Sequence, residues 1–284
     1  MDFSNTYEDA KYAEAYAKLE FHGTYYLAYR DLPEIIFEQV KGRKAIDFGC
    51  GTGRSTRFLQ KLGFDAIGID IAEEMIKKAI ETDPDGDYRL IQDEAFNQLK
   101  YNTYDLVLSA FTFDNIPTME KKVKLFRELR KLLKSEGRIV HLVSSPEIYT
   151  NEWASFSTKD FPENKYAKSG DIVRIIVTDL EDKRPVEDII WTDEYYRETF
   201  KQAGLELVKT HKPLARGNES YKWVNETKIA PWVIYVLKKK WRRMAMRLYP
   251  LSRTESASGG FYHYKNIFHL ASHIFRLTIL YKFY

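Results

Sequence analysis

Five short apolar segments alternate with charged amphipathic segments through residues 40–145, and this alternation restricts the possible folds most strongly. The apolar segments are KAIDFG, DAIGID, YRLIQD, YDLVLSAF and GRIVHLVSS, each of a length typical of a strand. The segments between them predict helices near 53–62, 72–81 and 119–134. Strands that alternate with helices at this spacing indicate right-handed crossovers and a parallel sheet covered on both faces.

The segments on either side of this alternation complete the predicted organisation. Residues 1–40 predict an N-terminal helical cap, and residues 146–191 are polar, aromatic and irregular, as in an inserted lid. DIVRIIVTDL and VEDIIWT predict a hairpin in the lid, TDEYYRETFKQAG a helix, and LELVKTHKPL and PWVIYVL two closing strands. We therefore expect an α/β domain over 41–239, with a Rossmann-like, mostly parallel seven-stranded sheet and helices on both faces.

The composition is that of a soluble globular protein with a sizeable core. Of the 284 residues, 44% are hydrophobic and 30% are charged. The single cysteine, Cys50, excludes an internal disulfide and fits a reducing compartment. The first residues, MDFSNTYEDAKYAEAY, are acidic and interrupted by charges, unlike a secretory signal or a membrane span. We therefore expect a cytoplasmic protein.

The net charge of +3 is unevenly distributed, because the C-terminal tail is strongly basic. Residues 239–284 hold nine Lys or Arg and one acid, whereas the rest of the chain holds 35 basic and 40 acidic residues. Within the tail, KNIFHLASHIFRL is amphipathic and basic, which suits an anionic membrane surface or a partner groove. Residues 240–284 therefore predict a peripheral membrane or partner contact, or else a poorly ordered extension. His269 and His273 have no acid nearby, so we predict no metal site.

A glycine-rich loop follows the first predicted strand. Gly49, Gly51 and Gly53 form a G-x-G-x-G pattern, which lets the backbone approach a ligand closely. The dinucleotide fingerprint needs Gly or Ala where this chain has Arg54, and the Gly-Lys-Ser/Thr ending of a phosphate loop is absent from the sequence here. Asp47, two residues before the first glycine, repels a pyrophosphate. The loop is therefore expected to favour a ligand with a positively charged amino group.

Polar residues also end the neighbouring predicted strands. Asp70 ends the second strand, from which a carboxylate reaches ribose hydroxyls. Gln92 and Asp93 end the third strand, where they can accept a hydrogen bond from an adenine amino group, and Ser109 ends the fourth. Because ligands of open α/β sheets bind at the carboxyl ends of the strands, these residues should meet in one crevice.

Five segments in order resemble the successive motifs of class I S-adenosylmethionine-dependent methyltransferases. They are AIDFGCGTGRSTRFL, GIDIAEEMIKKA, QDEAF, YDLVLSAFTF and LFRELRKLLKSEGRIV. Downstream, WTDEYYRETFKQAGLELV resembles the last helix and strand of the same fold. The segment KSEGRIV departs from the Pro-Gly-Gly that the family often has, which shortens a turn and affects no implied site residue.

The resemblance implies that S-adenosyl-L-methionine is the cofactor and that a small molecule accepts its methyl group. It also implies a role for each matching position: Asp47 with Gly49, Cys50, Gly51 and Gly53 for the methionine part, Asp70 for the ribose, Ile71 and Met75 for the adenine face, Asp93 with Glu94 for the adenine amino group, and Ser109 for the sulfonium end. Two alternatives stay open, namely Met75 as a core residue of its helix and Cys50 as a small filler of the loop.

The residues that act on the methyl acceptor are less defined by the sequence. Methyl transfer is an in-line displacement that relies on positioning and on the exclusion of water, so no particular base is required. Tyr25 and Asp114 are candidate bases, with a packed aromatic or a helix cap as alternatives. Arg30 is a candidate partner of the ligand carboxylate or of a surface acid, and His141 is expected in the core. The aromatic lid favours a planar or apolar acceptor.

Two other classes of function stay open. A nucleic-acid or protein methyltransferase would use the basic tail, because the acidic body predicts no basic face for nucleic acid. The segment FTFD also stands where the base-amino methylases of DNA keep an N-P-P-Y-like tetrapeptide. A non-catalytic S-adenosylmethionine-binding protein would keep the same motifs.

Overall fold

The computed structural model describes residues 21–92 and 96–240. Its strands are β1 (Lys44–Phe48), β2 (Asp65–Asp70), β3 (Asp87–Leu90), β4 (Tyr104–Ala110), β5 (Leu133–Ser144), β6 (Phe156–Ser157), β7 (Ile172–Val177), β8 (Val186–Ile189), β9 (Leu205–His211) and β10 (Trp232–Lys239). Seven of them form the main sheet in the order β3-β2-β1-β4-β5-β10-β9. All pairs are parallel except those of β10, which runs antiparallel to β5 and β9. The predicted Rossmann-like, mostly parallel seven-stranded sheet is confirmed.

Two α-helices precede β1 in the described residues, and the α-helices that follow it agree with those predicted from the sequence. The helices are α1 (Thr24–Arg30), α2 (Leu32–Gln39), α3 (Arg54–Lys61), α4 (Glu73–Thr82), α5 (Met119–Leu132) and α6 (Asp193–Ala203). At the start of α5, Thr118 Oγ1 accepts a hydrogen bond from the Lys121 N–H, which satisfies one of the unpaired donors of the first turn. Gly204 ends α6 in the left-handed conformation, with a φ of 74°.

Alternate residues of the strands pack on opposite faces of the sheet. Leu106 and Leu108 of β4 belong to the core cluster that includes α1, α2 and lid residues, whereas Val107 belongs to the cluster of α5 and α6. Strands buried on both faces are nearly continuous apolar runs, as β4 is. The prediction of helices on both faces is therefore confirmed.

The N-terminal helices share the core of the sheet. Leu27, Leu32 and Ile36 are fully buried in the same cluster as residues of β1, β4 and β5. The indole N–H of Trp232 in β10 donates to the Thr24 carbonyl at 2.8 Å. The described part of the predicted cap is thus packed into the α/β core, and the domain limits 1–40, 41–239 and 240–284 stay predictions.

The lid contains a small antiparallel sheet in the order β6-β7-β8. The predicted hairpin is confirmed by the pairing of β7 with β8, from Ile172 opposite Ile189 to Ile175 opposite Val186. Thr24 and Ser155 connect α1 to the lid by two hydrogen bonds. The Thr24 N–H donates to Ser155 Oγ at 2.9 Å, and the Ser155 N–H donates to Thr24 Oγ1 at 3.1 Å.

Some predictions fall outside the described residues. These are the helix before residue 21, the adenine contacts of Asp93 and Glu94, and the role of the basic tail beyond Lys240. They stay predictions. Within 21–92 and 96–240, no helix is long and apolar enough to cross a bilayer.

Candidate functional site

A cavity of about 530 Å³ lies at the carboxyl ends of β1, β2 and β4. This main cavity has a volume within the range of about 300–1,000 Å³ that is usual for small-molecule sites. Its wall includes the glycine-rich loop, the start of α4 and the residues after β4. The crevice predicted at the strand ends is therefore present.

The glycine-rich loop forms one wall of the main cavity through Gly49, Cys50 and Gly51. The N–H groups of Gly49 and Cys50 both donate to the Ile69 carbonyl, at 2.8 and 3.0 Å, which fixes the loop to the end of β2. Gly49 has a φ of 73°, and a Cβ there would lie 2.1 Å from Thr112 Oγ1. Glycine is therefore required at Gly49 by both the conformation and the close approach of the segment after β4.

Asp70 lies in the wall of the main cavity and holds two backbone segments. Its Oδ2 accepts from the Gly51 N–H at 2.8 Å, and its Oδ1 accepts from the Ala72 N–H at 2.9 Å. Burial raises the pKa of this carboxyl, and the two backbone donors oppose the shift. The residue expected to bind ribose hydroxyls is thus at the cavity and oriented by the loop.

Asp47 lies behind the loop and does not line the main cavity. Its Oδ2 accepts hydrogen bonds from the hydroxyls of Ser55 and Thr56, at 2.7 and 2.6 Å. Its Oδ1 is buried and has no hydrogen-bond partner among the described residues. Burial raises the pKa of this carboxyl to about 6. The expected direct contact between Asp47 and a ligand ammonium is therefore not seen, and it stays a prediction.

Part of the wall of the main cavity is apolar. Ile71 is 64% exposed and Met75 is 1% exposed, and both line the cavity. Met75 is therefore a core residue that also forms part of the cavity wall, and its contact with adenine stays a prediction. The same wall is extended by residues from the loop after β3, the segment after β4 and α5, namely Ile91, Phe96, Ile116, Pro117 and Leu125. A flat apolar ring would be well covered there.

Two residues predicted at the site lie elsewhere. Ser109 is fully buried, and its Oγ has no hydrogen-bond partner within the described ranges. The next residue, Ala110, lines the main cavity instead, because adjacent strand residues point to opposite faces. Arg30 forms ion pairs with Asp31 at 2.7 Å and with Glu219 at 3.0 Å, away from the cavity wall. The hydrogen bond to Asp31 raises the pKa of this guanidinium.

Arg54 is a cavity residue whose role the sequence did not indicate. It begins α3 directly after the loop and lines the main cavity. Its guanidinium carbon lies over three aromatic rings, at 4.9 Å from the ring centre of Tyr25, 5.5 Å from that of Phe21 and 5.6 Å from that of Tyr29. A cation is therefore held at the loop end of the cavity, where the carboxylate of a ligand would be attracted.

A second chamber of about 40 Å³ adjoins the main cavity. Phe111 and Asn115 line both spaces. The walls of the second chamber carry aromatic and aliphatic side chains from α1, the lid and β10, and its polar residues include Asp114 and Asp188. Both candidate bases from the sequence, Tyr25 and Asp114, line this chamber.

Three buried ionisable groups lie at or next to the second chamber. Burial raises the pKa of Asp114 to about 6 and that of Asp188 to about 8. Burial lowers the pKa of Lys122 to about 7, while the two carboxylates oppose that shift. Asp114 Oδ2 accepts from the Ser144 N–H at 3.1 Å, and Asp188 Oδ2 accepts from the Tyr149 hydroxyl at 3.1 Å. Groups perturbed in this way, in a cleft, mark candidate functional sites.

His141 is in the core, as predicted. It is fully buried and packs edge-on against the rings of Phe113 and Phe126, at 4.7 and 5.1 Å between ring centres. Burial lowers the pKa of its ring well below the usual value, with Lys122 as a smaller cause. No group of His, Cys, Asp or Glu suited to a metal ion occurs in the described part of the chain.

The described residues fit S-adenosylmethionine better than a dinucleotide. The cavity offers a carboxylate for ribose at Asp70, apolar cover at Ile71 and Met75, and a cation at Arg54. A negative charge behind the loop, at Asp47, disfavours a phosphate at that point.

Comparison with known proteins agrees with this fit. Residues 46–141 match a family model described as a methyltransferase domain. The chain is 34% identical over 94 residues to a ubiquinone biosynthesis O-methyltransferase of Methylococcus capsulatus, a match of 32% of this chain and 40% of that protein. It is 33% identical over 102 residues to a 2-methyl-6-phytyl-1,4-hydroquinone methyltransferase of Synechocystis, a match of 35% of this chain and 31% of that protein. The matches thus span less than half of these relatives.

The fold has solved counterparts over most of the chain. A crystal structure of an S-adenosylmethionine-dependent methyltransferase from Clostridium acetobutylicum superposes with a TM-score of 0.54 and 16% identity, covering 81% of this chain and 98% of that one. At this identity the likeness shows a shared fold.

Proposed function

We propose that the chain is a class I S-adenosylmethionine-dependent methyltransferase and that it transfers a methyl group to a small organic acceptor. The observation that supports the proposal most strongly is that the main cavity and the second chamber share part of their walls. The main cavity, with its glycine loop and Asp70, shares Phe111 and Asn115 in its wall with a chamber that has two buried carboxyls.

The main cavity residues are assigned to the parts of the cofactor by their chemistry. Asp70 binds the ribose hydroxyls, since its carboxylate is already oriented by the Gly51 and Ala72 N–H groups. Ile71 and Met75 cover the adenine. Arg54 binds the methionine carboxylate, which is the role expected of Arg30, because Arg54 lines the cavity and Arg30 does not.

Asp47 acts at a distance in this proposal. Its buried carboxylate places negative charge behind the loop, which favours the ammonium of the cofactor over a phosphate without direct contact. Its hydrogen bonds with Ser55 and Thr56 also hold the first turn of α3 against β1. The charge therefore serves both selectivity and loop geometry.

Catalysis rests on positioning and on the exclusion of water. S-adenosylmethionine supplies an electrophilic methyl group on a positively charged sulfur. The aromatic walls of the second chamber hold the acceptor in line and exclude water, and Asp114 accepts the proton that the acceptor releases. Asp114 suits this role because its pKa of about 6 lies close to neutral pH.

The acceptor is proposed to be a small molecule, which agrees with relatives whose names specify quinone and hydroquinone precursors. The second chamber takes only part of such a molecule, so the remainder would occupy the main cavity beside the cofactor. The cytoplasmic location expected from the sequence stays a prediction.

The test is a methyl-transfer assay with the full chain. Purified protein is incubated with S-adenosylmethionine labelled in its methyl group and with a panel of small phenols, alcohols, amines and carboxylic acids. Acceptor-dependent formation of S-adenosylhomocysteine and of a labelled product supports the proposal. Cofactor binding without transfer to any acceptor would favour the non-catalytic binder, and transfer only to nucleic acid or protein would favour the other class left open.

A further inference from the structure

We propose that the acceptor is a compact primary or secondary amine whose nitrogen lies in the second chamber, beside the carboxyl groups of Asp114 and Asp188. The inference rests on the proposed function, because it names the substrate class of that same site. It goes beyond the relatives, whose names specify quinone and hydroquinone precursors.

The size of the second chamber limits what enters it. Its volume of about 40 Å³ is less than a tenth of the 530 Å³ of the main cavity. The second chamber is thus suited to a small head group and not to a whole acceptor molecule. The lid contributes the aliphatic side chains of Ile175 and Val186 to its wall, besides the polar groups of Tyr149 and Asp188. The chamber therefore receives the reacting end of the acceptor.

The walls of the second chamber suit a cation. Tyr25 and Trp232 are stacked with their ring centres 5.8 Å apart, and Phe111 and Phe156 contact them at 4.8 and 5.1 Å. All four rings line the chamber. The faces of aromatic rings attract cations, and ammonium groups are commonly bound in aromatic boxes of this kind.

Two carboxyl groups line the second chamber, and none of the described residues in its wall is a Lys, Arg or His. Asp114 is 4% exposed and Asp188 is 9% exposed, and both line the chamber. Lys122 is the nearby buried cation, but its Nζ donates to the Phe113 carbonyl and lies 4.8 Å from the ring centre of Trp191. The carboxyls accept hydrogen bonds from the Ser144 N–H and the Tyr149 hydroxyl instead. Burial raises the pKa of Asp188 to about 8, and a cationic head group beside it would favour its ionised form.

The other groups packed around these carboxyls add no positive charge. His141 of β5 is held neutral by burial, which lowers its pKa well below the usual value. Tyr149 and Tyr196 are held neutral by burial, which raises their pKa values well above the usual range.

The charge that develops on the acceptor atom during methyl transfer differs between an amine and a hydroxyl group. A hydroxyl must lose its proton and gain negative charge on oxygen, which two nearby carboxyls oppose. An amine nitrogen gains positive charge as it is methylated, and the same carboxyls stabilise that charge in a water-poor site. The chamber therefore lowers the barrier for an amine and raises it for a phenol.

The reaction balances with one proton released. The acceptor ammonium first gives one proton to the Asp114 carboxylate, which passes it to solvent. The nitrogen lone pair then forms the bond to the methyl carbon while the carbon–sulfur bond breaks, and its electron pair goes to sulfur. The products are a methylated ammonium, a neutral thioether and one proton, with no oxidant or reductant involved.

Tyramine tests the inference because it carries a phenol and a primary amine on one skeleton. It is incubated with the full chain and labelled S-adenosylmethionine, beside the matched pair benzylamine and benzyl alcohol, and mass spectrometry locates the methyl group. We expect N-methyltyramine, and at least a tenfold higher kcat/KM for benzylamine than for benzyl alcohol. Methylation at oxygen, or of hydroxyl compounds alone, would overturn the inference while leaving the proposed function intact. Absence of transfer to every amine would overturn the inference as well.

Two variants and one control test whether the preference for amines depends on the second chamber. Asp188→Asn keeps the shape of the side chain but cannot ionise when an ammonium group binds beside it, and we expect KM for the amine to rise about tenfold or more with unchanged affinity for the cofactor. Glu187→Gln, on the same strand but paired with Arg174 at 2.8 Å outside the chamber, is the matched control and should leave KM unchanged. Asp114→Asn is the second variant, and we expect it to lower kcat at neutral pH. Equal KM values for wild type and Asp188→Asn, both folded by circular dichroism, would contradict the role of the chamber.

Discussion

Asp70 Oδ2 accepts a hydrogen bond of 2.8 Å from the backbone N–H of Gly51. The same carboxylate accepts from the Ala72 N–H through its other oxygen, so one side chain fixes the tip of the glycine loop and the entry to α4. Two elements that are separated by a strand and a helix in the sequence are thus held at one cavity wall. The residue proposed to bind ribose is also the residue that sets the position of the loop.

Replacing Asp70 by Asn should weaken cofactor binding strongly. The amide retains one acceptor and turns an N–H₂ group toward a backbone donor, so the side chain loses one of the two hydrogen bonds by which it connects the loop to the entry of α4. A hydrogen bond to a charged group contributes about 1.5–3 kcal/mol, so we expect affinity for S-adenosylmethionine to fall about 10- to 100-fold by isothermal titration calorimetry. Asp65→Asn, at the opposite end of the same strand, is the control. An unchanged affinity in Asp70→Asn would exclude Asp70 from the site.

Replacing Asp47 by Asn should stabilise the fold at neutral pH. Because the pKa of this fully buried carboxyl is raised to about 6, the native state favours the protonated form. The stability that this preference gives is complete below the unfolded pKa of about 3.9 and is lost as the pH rises through 6. We therefore compare the free energy of unfolding of Asp47→Asn minus that of wild type at two pH values. This difference should be about 3 kcal/mol more positive at pH 7 than at pH 3.5.

Urea unfolding of the two proteins at a series of pH values measures this difference. Since the remaining groups are the same in both proteins, their titration cancels in the comparison. The stabilised variant should also bind S-adenosylmethionine more weakly, because the negative charge behind the loop is gone. A stability difference that does not change between pH 3.5 and pH 7 would refute the burial-induced shift at Asp47.

The position of Arg54 predicts a specific loss of affinity for the methionine carboxylate. Arg54→Met keeps a long side chain that can cover Tyr25 but removes the positive charge. We expect affinity for S-adenosylmethionine to fall about tenfold, as for the loss of one charge-assisted hydrogen bond, with little change in affinity for S-methyl-5′-thioadenosine, which lacks the amino-acid part. Lys61→Met, at the exposed end of the same helix, is the matched control. Equal losses for both ligands would place Arg54 away from the carboxylate.

Glu226 is predicted to be a major support of the lid. Its carboxylate is fully buried and accepts hydrogen bonds from the Thr24 hydroxyl and from the N–H groups of Ala154, Val224 and Asn225. Glu226→Ala leaves these buried donors without their acceptor, which should lower the free energy of unfolding by about 3 kcal/mol or more. The exposed Glu181→Ala should change it by no more than about 0.5 kcal/mol. Similar denaturation midpoints for the two variants would show that Glu226 is dispensable.

The order of strands and helices could be predicted from the sequence because each element carries its own pattern. Apolar runs such as that of β4 and the periodic helices between them need no knowledge of distant contacts. The same holds for the loop and for Asp70, since parallel strands place their carboxyl ends on one edge. Prediction therefore succeeded where local pattern and topology were sufficient.

The remaining site residues depend on tertiary packing. Ser109 was placed at the cavity from its position at a strand end, but the two-residue period of β4 turns it to the face of Val107. Asp188 lies far along the chain from Asp114, and only the folding of the lid onto α1 and β10 brings both to one chamber. Arg30 lies away from the cavity wall for the same reason, because Asp31 and Glu219 pair with it in the folded chain, whereas Arg54 lines the wall.

The most direct test of the central claim compares three ligands on the wild-type chain by isothermal titration calorimetry. S-adenosylmethionine, S-adenosylhomocysteine and NAD⁺ are titrated at the same pH and salt concentration. The account predicts that the first two bind with one site per chain in the micromolar range and that NAD⁺ gives no binding heat. Absence of binding by S-adenosylmethionine to the folded protein, or tighter binding by NAD⁺, would contradict it.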